Sequence, residues 1–215
     1  MTHTEFYTHD LDEYILSHGK PEDETLYALY RETHLKFFNP RMISGYSQGK
    51  FLTLLAQLSK ARFILEIGTF TGYSAICLAK GLNTGGMLHT IEIDDELESI
   101  CRKYFAKAGV QDKITLHIGD AEEIVPKIEG SFDIIFLDAE KKEYPAYFEL
   151  CANRLVSGGL LIADNVLWNG KVLDPNDHDK STKAVEAFNQ MVTNDKNFDN
   201  FILPIRDGLM IAQKK

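Results

Sequence analysis

The sequence predicts an α/β fold: a mostly parallel seven-stranded sheet with an antiparallel C-terminal hairpin and a set of N-terminal helices. Three observations carry this. From Asp10 to Lys60 apolar residues recur at three- and four-residue steps with no strand-like alternation. After Arg62 the text changes to short, nearly continuous apolar runs separated by amphipathic stretches, the pattern of strands buried on both faces by helices. Near the end, Asp207-Gly208 stands between two apolar runs, a short-range hairpin signal resting on two residues that tolerate positive φ.

Taken in order, Leu11, Tyr14 and Ile15, then Leu26, Leu29, Tyr30 and Leu35, then Phe51, Leu54, Leu55 and Leu58 mark two or three helices. Strands are expected over Phe63–Ile67, Met87–Ile93, Ile114–Ile118, Phe132–Leu137 and Leu160–Ala163, with helices around Ser74–Lys80, Glu96–Ala108, Ala121–Ile128 and Tyr144–Leu155. A last helix near Thr182–Val192 precedes the hairpin of Phe201–Ile205 and Leu209–Ala212. No linker or repeat divides the chain, so 1–215 is expected to be a single domain, with 1–60 a helical extension and 61–215 the α/β core.

The chain has 215 residues, 44% apolar and 26% charged, which suits one buried core and excludes a disordered or collagen-like polymer. Its net charge of −9 weakens the case for a duplex-binding protein, which needs a basic face against phosphates. No apolar run approaches the ~20 residues of a spanning helix. Met1 to Asp10 is polar and lacks a signal-peptide core, so a cytoplasmic location is expected. Cys77, Cys101 and Cys151 are odd in number, far apart and in apolar helical contexts, which reads as buried free thiols and not a zinc or disulfide framework.

The first expected strand runs into Glu66-Ile67-Gly68-Thr69-Phe70-Thr71-Gly72-Tyr73-Ser74 and then a helix. In an open α/β sheet, ligands bind beyond the carboxyl ends of the strands, and glycine there lets backbone approach them. The G-x-G-x-x-G that seats a dinucleotide pyrophosphate is absent, which disfavours a nicotinamide oxidoreductase. Glu66 stands two residues before Gly68, where a carboxylate repels a diphosphate and attracts an ammonium or sulfonium. Glu92, at the second strand end, is suited to gripping ribose hydroxyls, and Asp120 and Ala121, after the third, to an adenine edge. Three successive strand ends thus suggest one nucleoside-bearing ligand.

The fourth strand ends in Leu137-Asp138-Ala139-Glu140-Lys141 and the fifth in Ala163-Asp164-Asn165. In a parallel sheet both ends open on the edge that carries the glycine loop, which would gather Asp138, Asp164 and Asn165. Such hard oxygen donors suit Mg²⁺, Mn²⁺ or Ca²⁺, although an Asp-Asn pair also caps turns and a lone Lys141 also reads as surface charge.

With these motifs in view, the chain resembles the cation-dependent O-methyltransferases of the caffeoyl-CoA O-methyltransferase and catechol O-methyltransferase type, from about Met42 to the C-terminus. The resemblance rests on Leu65-Glu66-Ile67-Gly68-Thr69-Phe70-Thr71-Gly72-Tyr73-Ser74, Phe136-Leu137-Asp138-Ala139-Glu140-Lys141, Asp164-Asn165-Val166-Leu167-Trp168-Asn169-Gly170 and Asp207-Gly208-Leu209. It implies the Rossmann-like methyltransferase fold and S-adenosylmethionine held by Met42, Ser44, Glu66, Gly68, Ser74, Glu92, Asp120, Ala121 and Asp138. It further implies Asp138, Asp164 and Asn165 as metal ligands, Lys141 as general base beside Asp138, Gln48-Gly49-Lys50 in a helix closing over the methionine tail, and a homodimer.

Two departures from the catechol branch stand out. Met210 occupies the place of a carboxylate two residues after Asp-Gly, and Glu140 that of a Trp before the lysine. Both point to a caffeoyl-type or bacterial-type acceptor, an aromatic small molecule with neighbouring hydroxyls, and the Trp168–Lys180 loop is where acceptor choice is expected. Rival expectations are methylation of a hydroxylated uridine in tRNA, using a basic rim of Lys20, Lys36, Arg41, Lys50, Lys171 and Lys180, and a non-catalytic S-adenosylmethionine-binding module.

Overall fold

The computed structural model describes residues 14–215. The expectations for Met1–Asp10, and for a helix beginning at Asp10 and Leu11, lie outside the described residues. The elements run in the order α1 (Glu24–Lys36), α2 (Gly45–Leu58), β1 (Phe63–Ile67), α3 (Tyr73–Gly81), β2 (Met87–Glu92), α4 (Glu98–Lys107), β3 (Ile114–Ile118), α5 (Ala121–Ile124), β4 (Phe132–Leu137), α6 (Tyr144–Ala152), β5 (Leu155–Asp164), α7 (Lys180–Asn194), β6 (Phe198–Leu203) and β7 (Leu209–Lys214). A 3₁₀ turn at Pro40–Met42 separates α1 from α2. Among the described residues no helix is long and apolar enough to cross a membrane.

One seven-stranded sheet has the order β3-β2-β1-β4-β5-β7-β6. β1 pairs in parallel with both β2 and β4, β4 in parallel with β5, and β7 antiparallel with β5 and β6. The chain therefore steps outward in one direction from β1 and in the other from β4. Their carboxyl ends flank the crevice where an open α/β sheet binds its ligand.

Alternation along β1 assigns the two cores. Ile64 packs with Leu29, Leu52, Ile76 and Leu78, while Leu65 and Ile67 pack on the opposite face with Tyr144, Phe148 and Phe188. Glu66 shares the parity of Ile64, so the sequence places a carboxylate inside the face that α2 and α3 cover. Helix starts follow local chemistry: Asp23 accepts from the amides of Thr25 and Leu26, and Asp179 from that of Ser181.

Several boundaries differ from the sequence reading, among them β6, which opens at Phe198 and not at Phe201. Leu155, expected to close a helix, opens β5, which pairs Phe132 with Leu155 and shifts register before Ile134. Its early residues include Gly158-Gly159 and alternate less cleanly than the apolar Leu160–Ala163 run. The helix expected over Ala121–Ile128 stops at Ile124 and tightens into a 3₁₀ turn containing Pro126, which cannot donate to the helical ladder. Ile205, expected at the end of a strand, lies in the loop. The final hairpin forms, yet Leu203 pairs with Leu209, leaving a five-residue loop whose positive φ values fall on Arg206 (52°) and Gly208 (84°) and not on Asp207. The three cysteines are free and buried, as expected.

Candidate active site

The site is built on the ends of β1 and β4. Gly68 follows β1 with φ of 97°, and a Cβ there would lie 2.1 Å from the Asp138 carbonyl oxygen. Only glycine permits this approach, which lets the Asp138 amide bond the Ile67 carbonyl at 2.9 Å and fixes the two strand ends together. A shallow pocket opens beside them, lined by Met42, Ile43, Ser44, Gly68, Thr69, Phe70, Thr71, Tyr73, Ser74 and Asp138. Five of the expected site residues thus share one wall, and Gly68 and Asp138 meet in it.

Glu66 lies beneath this wall, fully buried. The Thr90 hydroxyl donates to its Oε2 at 2.5 Å and is itself 2.5 Å from the Thr69 hydroxyl, while Oε1 has no hydrogen-bond partner. Burial pushes the carboxyl up to about 8; the Ser74 and Thr90 hydroxyls oppose this, and the charges of Asp138 and Glu92 add to it. Glu92, at the end of β2, accepts from the Phe70 amide at 2.6 Å and the Asp94 amide at 3.0 Å, so its carboxylate shapes the turn after β1. Burial raises its pKa as well. Asp120 is exposed and caps α5 by accepting from the Glu122 amide, and Ala121 is buried behind it. Neither lines the pocket.

The second constellation assembles across paired strands. Leu137 and Ala163 are partners in the β4/β5 ladder, so Asp138 and Asp164 emerge side by side. Lys141, on a 3₁₀ turn after β4, is buried, and its Nζ lies 3.1 Å from Asp138 Oδ1. Burial pushes the Asp138 carboxyl up to about 6; Lys141 lowers it and the Asp164 charge raises it. Asp164 is 1% exposed, with Oδ1 accepting from the Asn165 amide and Oδ2 from Gln48 Nε2, both at 2.8 Å. Asn165 takes a left-handed conformation (φ 58°) that turns the chain out of β5. A buried carboxylate, Asp164, and a partly exposed one, Asp138, that repel each other, with an amide side chain next in sequence, are a hard-oxygen set that fits a divalent cation. Among the described residues there is no group of three or more His, Cys, Asp and Glu that could hold a metal, so any such ion depends on Asn165 and on oxygens from outside the chain.

Three residues of this centre escaped the sequence reading as individual contributors. The Tyr144 hydroxyl accepts from Lys141 Nζ at 2.7 Å and lies 3.0 and 2.9 Å from the carbonyls of Leu137 and Asp164, donating to one at a time. Gln48 is buried on the α2 face that also carries Leu52 and Ala56; a polar residue in that four-residue apolar stripe is the signal that could have found it. Arg206 reaches Gln48 from the hairpin loop, and no local pattern announces it.

A family profile described as O-methyltransferase matches residues 16–215. The chain belongs to the O-methyltransferase family. It is 37% identical over 182 residues to the catechol O-methyltransferase of Niastella koreensis, covering 80% of this chain and 82% of that one. It is 33% identical over 184 residues to caffeoyl-CoA O-methyltransferase 1 of Eucalyptus globulus, covering 80% and 75%. The crystal structure of the O-methyltransferase TomG from Streptomyces achromogenes, in complex with SAM, superimposes with a TM-score of 0.91 at 32% identity over the whole of both chains. In this member of the family the expected basic rim is partly neutralised: Lys36 pairs with Glu32 at 2.9 Å and Lys171 approaches Asp177 at 4.0 Å.

Proposed function

We propose that this O-methyltransferase transfers the methyl group of S-adenosylmethionine to a hydroxyl of a catechol-like or caffeoyl-type aromatic molecule, assisted by Mg²⁺ or a similar divalent ion. The observation that carries the reading is the emergence of Asp138 and Asp164 next after the paired strand-end residues Leu137 and Ala163, with Lys141 Nζ 3.1 Å from Asp138, beside the pocket at Gly68. The partly neutralised basic rim and the net charge of −9 favour a small acceptor over tRNA.

Forming a phenolate at pH 7 from a hydroxyl of pKa ~10 costs about 4 kcal/mol. A divalent ion held by Asp138, Asp164 and Asn165 supplies Lewis-acid stabilisation of that charge. Lys141 takes the hydroxyl proton, and Tyr144 and Asp138, the latter in the pocket wall, fix the position of its Nζ. Met42, Ser44, Gly68 and Ser74 wall the cofactor; Glu66, linked to the wall residue Thr69 through Thr90, and Glu92, which accepts from the Phe70 amide, are the partners for its ammonium and ribose. The acceptor oxygen then forms its bond to the methyl carbon as the carbon–sulfur bond breaks, leaving S-adenosylhomocysteine; holding the two reactants in line contributes up to ~7–11 kcal/mol. The test is a chelator-treated preparation assayed by mass spectrometry with S-adenosylmethionine and a panel of catechols and caffeoyl-CoA. Methylation should appear on adding Mg²⁺ and fall by about 10²–10⁴-fold in Lys141→Ala. Full turnover without any divalent ion sinks the metal role, and full turnover in Lys141→Ala sinks the base.

A further inference from the structure

Arg206 is a charged side chain at this site to which no role has yet been given. Its backbone sits in the left-handed region at φ 52°, a conformation glycine adopts freely and other residues seldom do. Its guanidinium, at the far end of the chain in sequence, grips the first segment of the pocket wall: Nη1 donates to the Ser44 carbonyl at 2.6 Å and Nη2 to the Arg41 carbonyl at 3.2 Å. Nη1 also donates to Gln48 Oε1 at 3.0 Å, and Gln48 passes the contact on through Nε2 to Asp164 Oδ2 at 2.8 Å. Gln48 is fully buried, so its amide is committed to these two partners and its orientation is fixed by them. A planar fork is the side chain that can hold three acceptors around one corner; a lysine ammonium is a point donor without that geometry.

We infer that Arg206 is a positioning residue that clamps the Arg41–Ser44 wall of the cofactor pocket and, through Gln48, orients the Asp164 carboxylate, so that one side chain keeps the cofactor and acceptor halves of the site in register. The inference rests on the proposed reading that Met42 and Ser44 meet the cofactor. It assigns a purpose to an unfavourable backbone conformation in the loop that leads into Leu209, the ladder partner of Asp164.

The experiment is calorimetric titration of S-adenosylhomocysteine into the full chain in the presence of a chelator, with Arg206→Gly, Arg206→Lys, Gln48→Leu, the Arg206→Gly/Gln48→Leu pair and Glu92→Gln. Arg206→Gly should weaken binding about tenfold, well beyond any change in thermal midpoint, because glycine's relief of the backbone offsets part of the loss of the guanidinium's hydrogen bonds. Arg206→Lys should restore only part of the affinity, and Gln48→Leu should add little once Arg206 is gone, since groups acting through one network do not add. Unchanged affinity in Arg206→Gly overturns the clamp, as does an affinity loss that merely tracks a fall in thermal midpoint. Glu92→Gln separates the two levels: if it weakens binding while Arg206→Gly does not, the clamp alone is wrong. If neither variant changes affinity, the cofactor reading of this pocket falls and the clamp falls with it.

Discussion

Glu66→Gln is the substitution whose consequences follow most directly from burial. The wild-type carboxyl is pushed from 4.5 up to about 8 by a fully buried position, whereas in the unfolded chain it ionises at its ordinary value. A carboxyl whose folded pKa is raised contributes stability that is complete below the unfolded pKa and is lost as pH rises through the folded one. Between pH 4.5 and 7 the unfolded state has released its proton and the folded state has not, a span of 2.5 units, or about 3 kcal/mol at 1.36 kcal/mol per unit. Urea unfolding should therefore show Glu66→Gln gaining up to about 3 kcal/mol on the wild type as pH is raised from 4.5 to 7.

The same proton should be visible in cofactor binding. The ammonium of S-adenosylhomocysteine calls for an ionised partner, so below pH 8 binding must expel the Glu66 proton, and affinity should rise by about tenfold per unit as pH approaches 8 and then level off. Calorimetry at pH 7 in buffers of different ionisation enthalpy should count about one proton released per cofactor. In Glu66→Gln that limb should vanish, leaving the one that Asp138 contributes near 6. Loss of a charged hydrogen bond should weaken binding by about 10- to 100-fold at pH 8. A wild-type affinity that is flat from pH 6.5 to about 8, or a variant that keeps the slope, would refute the chain of reasoning from burial to proton release to cofactor uptake.

Gly68→Ala should lower stability by about 3 kcal/mol or more in urea unfolding, because its Cβ would lie 2.1 Å from the Asp138 carbonyl oxygen at a φ of 97°. Tyr144→Phe leaves Lys141 Nζ with only Asp138 and removes a fully buried hydroxyl from between two carbonyls, so stability should drop by about 1–3 kcal/mol. Turnover should fall with it while S-adenosylhomocysteine affinity, measured by calorimetry, stays within about twofold. Asp120→Ala removes the cap of α5 and should cost about 1 kcal/mol of stability by the same unfolding assay.

The sheet was legible because its strands are short, apolar on both faces and separated by helices, so periodicity alone placed five of them within a residue or two, apart from the early half of β5. That half was hidden by the order of the residues: Leu155 follows an apolar helix, and Gly158-Gly159 interrupts the alternation before the readable Leu160–Ala163 run. The hairpin loop was hidden for a different reason. Asp207-Gly208 marks a turn correctly, but tertiary contacts decide where the strands release each other. Here the Arg206 contacts with Ser44 and Gln48, and the Asp207 acceptance of the Asn169 amide at 2.7 Å, bind the loop to other segments.

The site divides along the same line. Gly68, Asp138, Asp164 and Lys141 follow strand ends, and a parallel sheet necessarily brings its strand ends to one edge, so their meeting could be argued from spacing. Glu66 was legible as a residue but its depth was not: one place further along β1 it would face the other core, and the parity of Ile64 and Glu66 puts it on the face that α2 and α3 cover, beneath the pocket wall. The groups that orient these side chains come from α2, α6 and the last loop, at separations of 116 residues for Gln48 with Asp164 and 158 for Arg206 with Gln48. Spacing within a segment carries no information about such pairs. A buried polar atom must nevertheless find a partner, and that requirement makes Gln48 the one member of the network that a sequence can expose: its place in the Leu52 and Ala56 stripe demands polar groups from elsewhere in the chain, and Asp164 and Arg206 supply them.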